Sequence, residues 1–230
     1  MNEADFTALW LTVKLATVTT IILVIVATPL AWWLGRTQTP FKILIEPLVA
    51  LPIVLPPTVM GFYLLIAFAP ESIVGEFWQW LTGQQLAFTF NALVIGSVIY
   101  SLPFYVQPLQ VAFENLEQGL LDAAATLGAN PVDRFFSLVV PACRNGFITA
   151  GCLAFAHTIG EFGIVLMIGG SIPGETRVLS IALFEEVETL NYDRAHTIAG
   201  SLMVFAFVLL LLVYSFNRHF KLGAPGYNRK

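Results

Sequence analysis

Long apolar runs leave this chain few folds to choose from. Between residues 9 and 34 the only charged side chain is Lys14. Such a run, coiled as a helix, crosses the hydrocarbon core of a bilayer, which takes roughly 20 mostly apolar residues. Residues 43–68, 86–109, 147–168 and 198–216 meet the same requirement. The chain has 230 residues, 57% of them hydrophobic and 11% charged, which is more apolar surface than a soluble domain of this size can hide. Backbone polar groups in lipid must be satisfied within the segment or within a closed barrel. No alternation at a period of two supports a barrel. The expectation is an all-α integral membrane protein with five transmembrane helices.

Charge sets the orientation. The loop between spans one and two, the loop between spans three and four, and the C-terminus hold Arg36, Lys42, Arg134, Arg144, Arg218, Lys221, Arg229 and Lys230. The opposite side holds Lys14, Arg177 and Arg194. The basic side is cytoplasmic, so the N-terminus, with Glu3 and Asp5, is expected outside and the C-terminus inside. That acidic flank and the length of the first run argue against a cleaved signal peptide. Glu71, Glu76, Glu175, Glu185, Glu186 and Glu188 fall outside. Residues 178–190 carry apolar positions near helical spacing, interrupted by three glutamates. They read as a short amphipathic helix on the outer face, partly tucked between spans. One domain covers residues 9–217, followed by a basic cytoplasmic tail at 218–230. Cys143 and Cys152 have no metal-ligand spacing and read as buried small hydrophobes. Trp10, Trp32, Trp33, Trp78 and Trp80 lie near span ends, as interfacial anchors do.

The only long cytoplasmic connection runs from Gln110 to Asn145. Phe113, Leu116, Leu120, Ala124 and Leu127 share one helix face. Gly128 reads as the helix stop, and Asn130-Pro131 opens a second helix over about 131–139, with Asp133 near its positive end. Within this stretch stand Asp122-Ala123-Ala124, Gly128 and, farther on, Leu138-Val139-Val140-Pro141. Short alanine side chains suit a helix that lies close against another surface. The expected role is a docking knob for a soluble partner, with residues 113–141 as the coupling loop. There is no Gly-x4-Gly-Lys-[Ser/Thr] sequence, so ATP, if used, is bound elsewhere.

Within the second span stands Leu51-Pro52-Ile53-Val54-Leu55-Pro56-Pro57-Thr58-Val59-Met60-Gly61. Each proline removes an N–H and kinks or breaks the helix. Such backbone survives at membrane depth when it is buried in protein or lines an aqueous cavity. Pro52, Pro56, Pro57, Thr58 and Gly61 are therefore pathway candidates. In the fourth span, Glu161 is an ionisable group near mid-membrane, with His157 four residues earlier on the same face. The two form a pair at a gate, or Glu161 is a neutral, hydrogen-bonded group inside the bundle. Outside, Pro173, Gly174, Glu175, Thr176 and Arg177 form a turn that would offer a gate or a docking surface.

Taken together, Leu-Pro-x-Val-Leu-Pro-Pro-x-Val-x-Gly at 51–61, Ser101-Leu102-Pro103-Phe104, Gly160-Glu161-Phe162-Gly163, Ile172-Pro173-Gly174-Glu175-Thr176 and the alanine-rich loop resemble the molybdate ABC-transporter permease family over nearly the whole chain. The loop resembles the EAA loop of ABC-importer permeases, with Asp122 in place of the usual Glu. His157 stands where the family often has Arg. Some relatives carry an extra N-terminal span; five are expected here. The resemblance implies a bacterial inner-membrane subunit that binds no cofactor and has no catalytic residues. It implies a second copy of the chain, two cytoplasmic ABC ATPase subunits that bind ATP and magnesium, and a periplasmic or lipid-anchored oxyanion-binding protein. Tungstate or sulfate as cargo and a proton-coupled carrier using Glu161 and His157 are the competing readings. No feature suggests a nucleic-acid partner.

Overall fold

The computed structural model describes residues 2–221, with side chains through residue 211. In chain order its helices are α1 (Glu3–Arg36), α2 (Lys42–Val54), α3 (Pro57–Phe68), α4 (Ile73–Thr82), α5 (Phe90–Glu114), α6 (Gln118–Thr126), α7 (Pro131–Arg134), a π-helical turn (Phe135–Val139), α8 (Val140–Ala142), α9 (Arg144–Gly160), α10 (Gly163–Gly169), α11 (Leu179–Glu188) and α12 (Tyr192–Lys221). Three of them, α1, α5 and α12, are individually long and apolar enough to cross a membrane. Two bent pairs, α2 with α3 and Pro131–Ala142 with α9, bring the possible spans to five.

α1 is the organising rod. Asn2 and Asp5 close a reciprocal cap at its start, at 2.9 and 2.8 Å, which satisfies two otherwise orphaned N–H groups. Leu15, Thr19, Leu23, Ala27, Ala31 and Leu34 recur every three or four residues and are buried, so one face of α1 packs on α5 and α9. α5 lies at the centre, touching α1, α2, α3, α9 and α10. The Tyr105 and Thr28 hydroxyls bond at 2.9 Å across the α1–α5 contact. This is the kind of interhelical polar pair that adds to packing between membrane helices.

The second span departs from a continuous 43–68 helix. The chain bends by 110° between α2 and α3. Leu55 is extended (φ −75°, ψ 134°), as a residue before proline tends to be, and Pro56 follows at φ −55°, ψ 139°. Pro57 then starts α3, where its missing N–H costs nothing. The fourth span is also interrupted: α9 ends at Gly160, Glu161 is extended (φ −71°, ψ 132°), and α10 begins at Gly163.

The second halves of these two broken segments pack against each other. A Cβ on Gly163 would lie 2.6 Å from the Pro57 Cβ, and one on Gly61 would lie 2.7 Å from the Met167 Cβ. Glycine at both positions lets α3 and α10 run side by side, with both breaks at the same level. Pro57 and Glu161 are thereby covered at least in part by protein, while Pro56 stays exposed.

The short amphipathic helix expected over 178–190 is present as α11, packed against α1 and α12. The Leu179 N–H donates to the Thr12 hydroxyl at 2.8 Å. Val187 and Leu190, expected on its apolar face, are exposed instead. Glu186 instead turns inward and pairs with Arg194 at 3.0 Å. The last long helix begins at Tyr192 rather than near 198. The basic tail expected from residue 218 lies beyond the described side chains, and 222–230 lie outside the described residues.

Candidate coupling site and transport path

The alanine-rich segment is two short limbs joined by a tight turn. α5 ends at Glu114, and Asn115-Leu116-Glu117 redirects the chain before α6. The single apolar stripe expected from Phe113 to Leu127 is therefore divided. Phe113, Leu116 and Leu121 are buried, whereas Leu120 and Leu127 face outward, Leu127 with 87% of its surface exposed. A continuous helix would keep all of these on one face; the change of direction after Glu114 removes that register. Gly128 has φ +84°. Its N–H donates to the Ala125 carbonyl at 3.0 Å and the Ala129 N–H donates to Ala124 at 3.1 Å. This paired bonding through a left-handed residue satisfies the last carbonyls of α6.

Asn130 then caps α7 by accepting from the Asp133 N–H at 2.8 Å. The second helix widens into a π turn over Phe135–Val139, just ahead of Pro141. Pro141 has no N–H to bond the preceding turn, and its ring crowds the carbonyl four residues back. Asp122, Ala123, Ala125, Val132, Phe136 and Pro141 are exposed and Ala124 is half-buried. The result is a largely unfilled apolar surface with a carboxylate at its edge.

Arg36, at the end of α1, was counted only as a charge in the sequence. Its guanidinium donates to the carbonyls of Phe113 (3.3 Å) and Leu116 (3.0 Å) and to the Gln118 side chain. Trp32, expected as an interfacial anchor, instead packs edge-on against Phe113 and Phe135, with ring centroids 5.1 and 5.7 Å apart. Nearby, Lys42 pairs with Glu46 at 3.4 Å and Glu114 at 3.1 Å, tying α2 to the end of α5.

In the membrane region, Glu161 and His157 do not meet. The Glu161 carboxylate accepts from the Ile164 N–H at 3.0 Å and so caps α10. The Glu161 carbonyl accepts from the Ser180 hydroxyl at 2.7 Å, which ties the break to α11. His157 stacks on Phe104 with centroids 3.9 Å apart, and its Nδ1 lies 3.0 Å from the Ser101 hydroxyl. The helix break after Gly160 turns the chain and carries Glu161 off the face it would share with His157. Pro52 and Gly61 are buried, Pro57 is wedged against Gly163, and Pro56 and Thr58 are exposed.

Because Glu161 works as a cap here, Glu161→Ala should destabilise the protein by about 1 kcal/mol, while Glu161→Gln, which keeps an acceptor oxygen, should lose less. Thermal unfolding of the detergent-solubilised variants checks this ordering.

In the turn at 172–177, Thr176 is fully buried. Its hydroxyl donates to the Gly169 carbonyl at 2.7 Å and accepts from the Ile172 N–H at 3.0 Å. Arg177 pairs with Glu185 at 2.7 Å. These two brace the turn from within, leaving Pro173, Gly174 and Glu175 on its surface. Arg194 bridges Asp5 and Glu186, both at 3.0 Å, and so joins the start of α1, the end of α11 and the start of α12. Cys143 is buried and Cys152 half-buried, both as free thiols.

Residues 27–222 match the family of binding-protein-dependent transport system inner membrane components. The chain is 52% identical to the molybdenum transport system permease protein ModB of Azotobacter vinelandii, over 97% of this chain and 98% of that protein. It is 32% identical to the Escherichia coli K12 protein of the same name over 82% of each. In fold it is similar to a bacterial ABC transporter involved in the import of the acidic polysaccharide alginate, with TM-score 0.77 and 14% identity, over 95% of this chain and 80% of that one. The described residues hold three helices long and apolar enough to cross a membrane and two bent helix pairs, and the match of residues 27–222 shows that this chain belongs to the family of binding-protein-dependent transport system inner membrane components.

Proposed function

We propose that this chain is the membrane-spanning permease subunit of an ATP-driven importer of molybdate, working as a pair of identical copies with two cytoplasmic ATPase subunits and an external anion-binding protein. The observation that carries the reading is the 52% identity to a molybdenum permease across nearly the full length of both chains. The exposed α6–α7 surface supports it, since a subunit that binds no nucleotide needs a place to receive work from one that does. In this reading the chain crosses the bacterial inner membrane five times, with the N-terminus outside and the coupling loop and C-terminus in the cytoplasm. ATP and magnesium belong to the partner.

The physical problem is moving a tetrahedral dianion through hydrocarbon, where one charge alone costs several kcal/mol or more. The two copies solve it by lining a polar route that opens to one side at a time. ATP draws the two ATPase subunits together. Their grooves hold Asp122, Ala123, Ala124 and the turn at Gly128, and they carry the segment through Pro141 with them. The bundle then favours its outward-open form. Pro173, Gly174 and Glu175 face the docked binding protein, while Thr176 and Arg177 brace that loop. The paired breaks at Leu55–Pro57 and Glu161–Phe162 form the gate, with Pro56 and Thr58 facing the route. Pro52, Gly61 and His157 set the packing around it. Hydrolysis returns the system inward. ATP acts only through its different affinity for the two states.

Proteoliposomes holding this chain, its ATPase and its binding protein should accumulate molybdate when ATP is enclosed, whether or not a protonophore is present. Uptake that follows a proton gradient and ignores ATP would overturn the reading. Competition by tungstate and sulfate in the same vesicles reports selectivity. Ala125→Cys, in a background lacking the native cysteines, should react with an impermeant maleimide only in inside-out vesicles, and Glu175→Cys only in right-side-out ones.

A further inference from the structure

The end of α1 grips the candidate coupling segment from both sides. On one side, Arg36 holds the carbonyls of Phe113 and Leu116 and the Gln118 side-chain oxygen. Gln118 in turn donates to the Asp122 carboxylate at 2.9 Å. A continuous polar chain thus runs from the last residue of α1, through the first residue of α6, to the acidic residue of the alanine-rich motif. On the other side, Trp32 packs edge-on against Phe113, at the end of α5, and against Phe135, in the π turn that leaves the segment. The Arg36 guanidinium carbon lies 5.5 Å above the Trp32 ring, so the two grips are one assembly.

The chemistry suits a joint. Helix C-terminal carbonyls carry partial negative charge and lack intrahelical donors, and a cation there both bonds them and meets the dipole. A planar fork with several N–H groups reaches two carbonyls and an amide oxygen at once. Trp32 supplies a stiff lever, because its ring touches the chain just before and just after the two limbs and has few rotamers to escape into. α1, which ends at this joint, is 34 residues long. At its far end Asp5 is held by Arg194, which also holds Glu186 of α11.

We infer that Arg36 and Trp32 form the joint through which movement of the α6–α7 segment is passed to α1 and along it to the outer helices. Arg36 is a positioning residue: it touches neither anion nor nucleotide and acts through Gln118 and the end of α5. The inference rests on the permease reading above, and adds that α1 is the transmitting rod rather than a passive anchor in the lipid.

The test uses the complete transporter in proteoliposomes, comparing Arg36→Gln, Arg36→Lys and Gln118→Leu with the parent. The readout is ATP hydrolysed per molybdate accumulated, together with stimulation of hydrolysis by the loaded binding protein. Arg36→Gln should raise the ATP-to-anion ratio and lower the stimulation by about ten-fold, an ordinary size for a lost coupling. Arg36→Lys keeps the charge but not the fork and should fall between. Gln118→Leu alters an exposed side chain and cuts only the branch to Asp122, so it reads the coupling even if Arg36→Gln fails to assemble; it should show the same rise to a lesser degree. A parent-like ratio and stimulation in Gln118→Leu and in an assembled Arg36 variant would overturn the inference while leaving the permease reading intact. Absence of ATP-driven uptake in the parent complex would instead overturn the permease reading itself.

Discussion

Gly128→Val should leave the helical bundle folded and cut ATP-driven uptake by about ten-fold to a hundred-fold. The residue sits at φ +84°, a conformation that a β-branched side chain adopts only under strain. Holding it there costs of order 1–3 kcal/mol, which becomes that range of lost affinity at about 1.4 kcal/mol per ten-fold. Nothing lies within 4 Å of a Cβ at this position, so the variant does not clash. What it loses is the turn that returns the chain from α6 to α7, and with it the relative placement of Ala123, Ala124 and Val132. Gly128→Asn is the informative partner. Asn tolerates the left-handed region and has room here, so it should recover most of the uptake. The comparison is made by transport in proteoliposomes, with thermal unfolding of each variant showing that the bundle is unchanged. Loss of uptake in the Asn variant equal to that in the Val variant would mean that the site needs the absence of a side chain rather than the turn.

Gly163→Val should cause the largest loss of stability among the substitutions considered. Its Cβ would stand 2.6 Å from the Pro57 Cβ, where carbon atoms prefer about 3.5–4.0 Å. The neighbour is part of a proline ring and cannot rotate away, so α3 must retreat from α10. Even Gly163→Ala should cost about 1–3 kcal/mol, and the larger valine more. Gly61→Ala opens the same contact from the other side, against Met167. The double Ala variant should therefore lose less than the sum of the two, because the first substitution already parts the helices. Gly160→Ala is the control. It lies three residues earlier in the same motif but has open space around it, and should shift the unfolding temperature little. Unfolding followed by size-exclusion of heated, solubilised samples measures the series. Equal stability of the Gly160 and Gly163 variants would show that the two broken segments do not pack as described.

Some of this was legible in the residues. The helix stop at Gly128 and the restart at Asn130-Pro131 are local events, set by one left-handed residue and one capping side chain, and the structure places both where the sequence puts them. The short helix at 179–188 was legible from its apolar spacing, which is also a local pattern, although Val187 and Leu190 do not share its buried face. The stripe from Phe113 to Leu127 was misread because periodicity assumes an unbroken axis, and three residues after Glu114 change its direction. The pairing of Glu161 with His157 failed similarly. Spacing of four residues places two side chains together only while the helix continues, and here it ends between them. Arg36 was visible only as a charge. Its partners are at 113, 116 and 118, far along the chain, and two of the three are backbone oxygens, which have no sequence signature.

Composition and the lengths of the apolar runs alone determined that this chain is a helical membrane protein. That follows from an energy cost per residue, which adds up locally and needs no knowledge of neighbours: hydrocarbon tolerates a backbone only when its N–H and C=O groups bond one another. The prolines, likewise, announced a break in the second segment. Tertiary structure decided what the breaks are for. Whether Pro57 meets lipid, water or Gly163, and whether Gly61 stands against lipid or Met167, depends on contacts between residues more than a hundred positions apart. Those contacts are chosen by the close packing of the whole bundle, where a single Cβ is enough to forbid an arrangement.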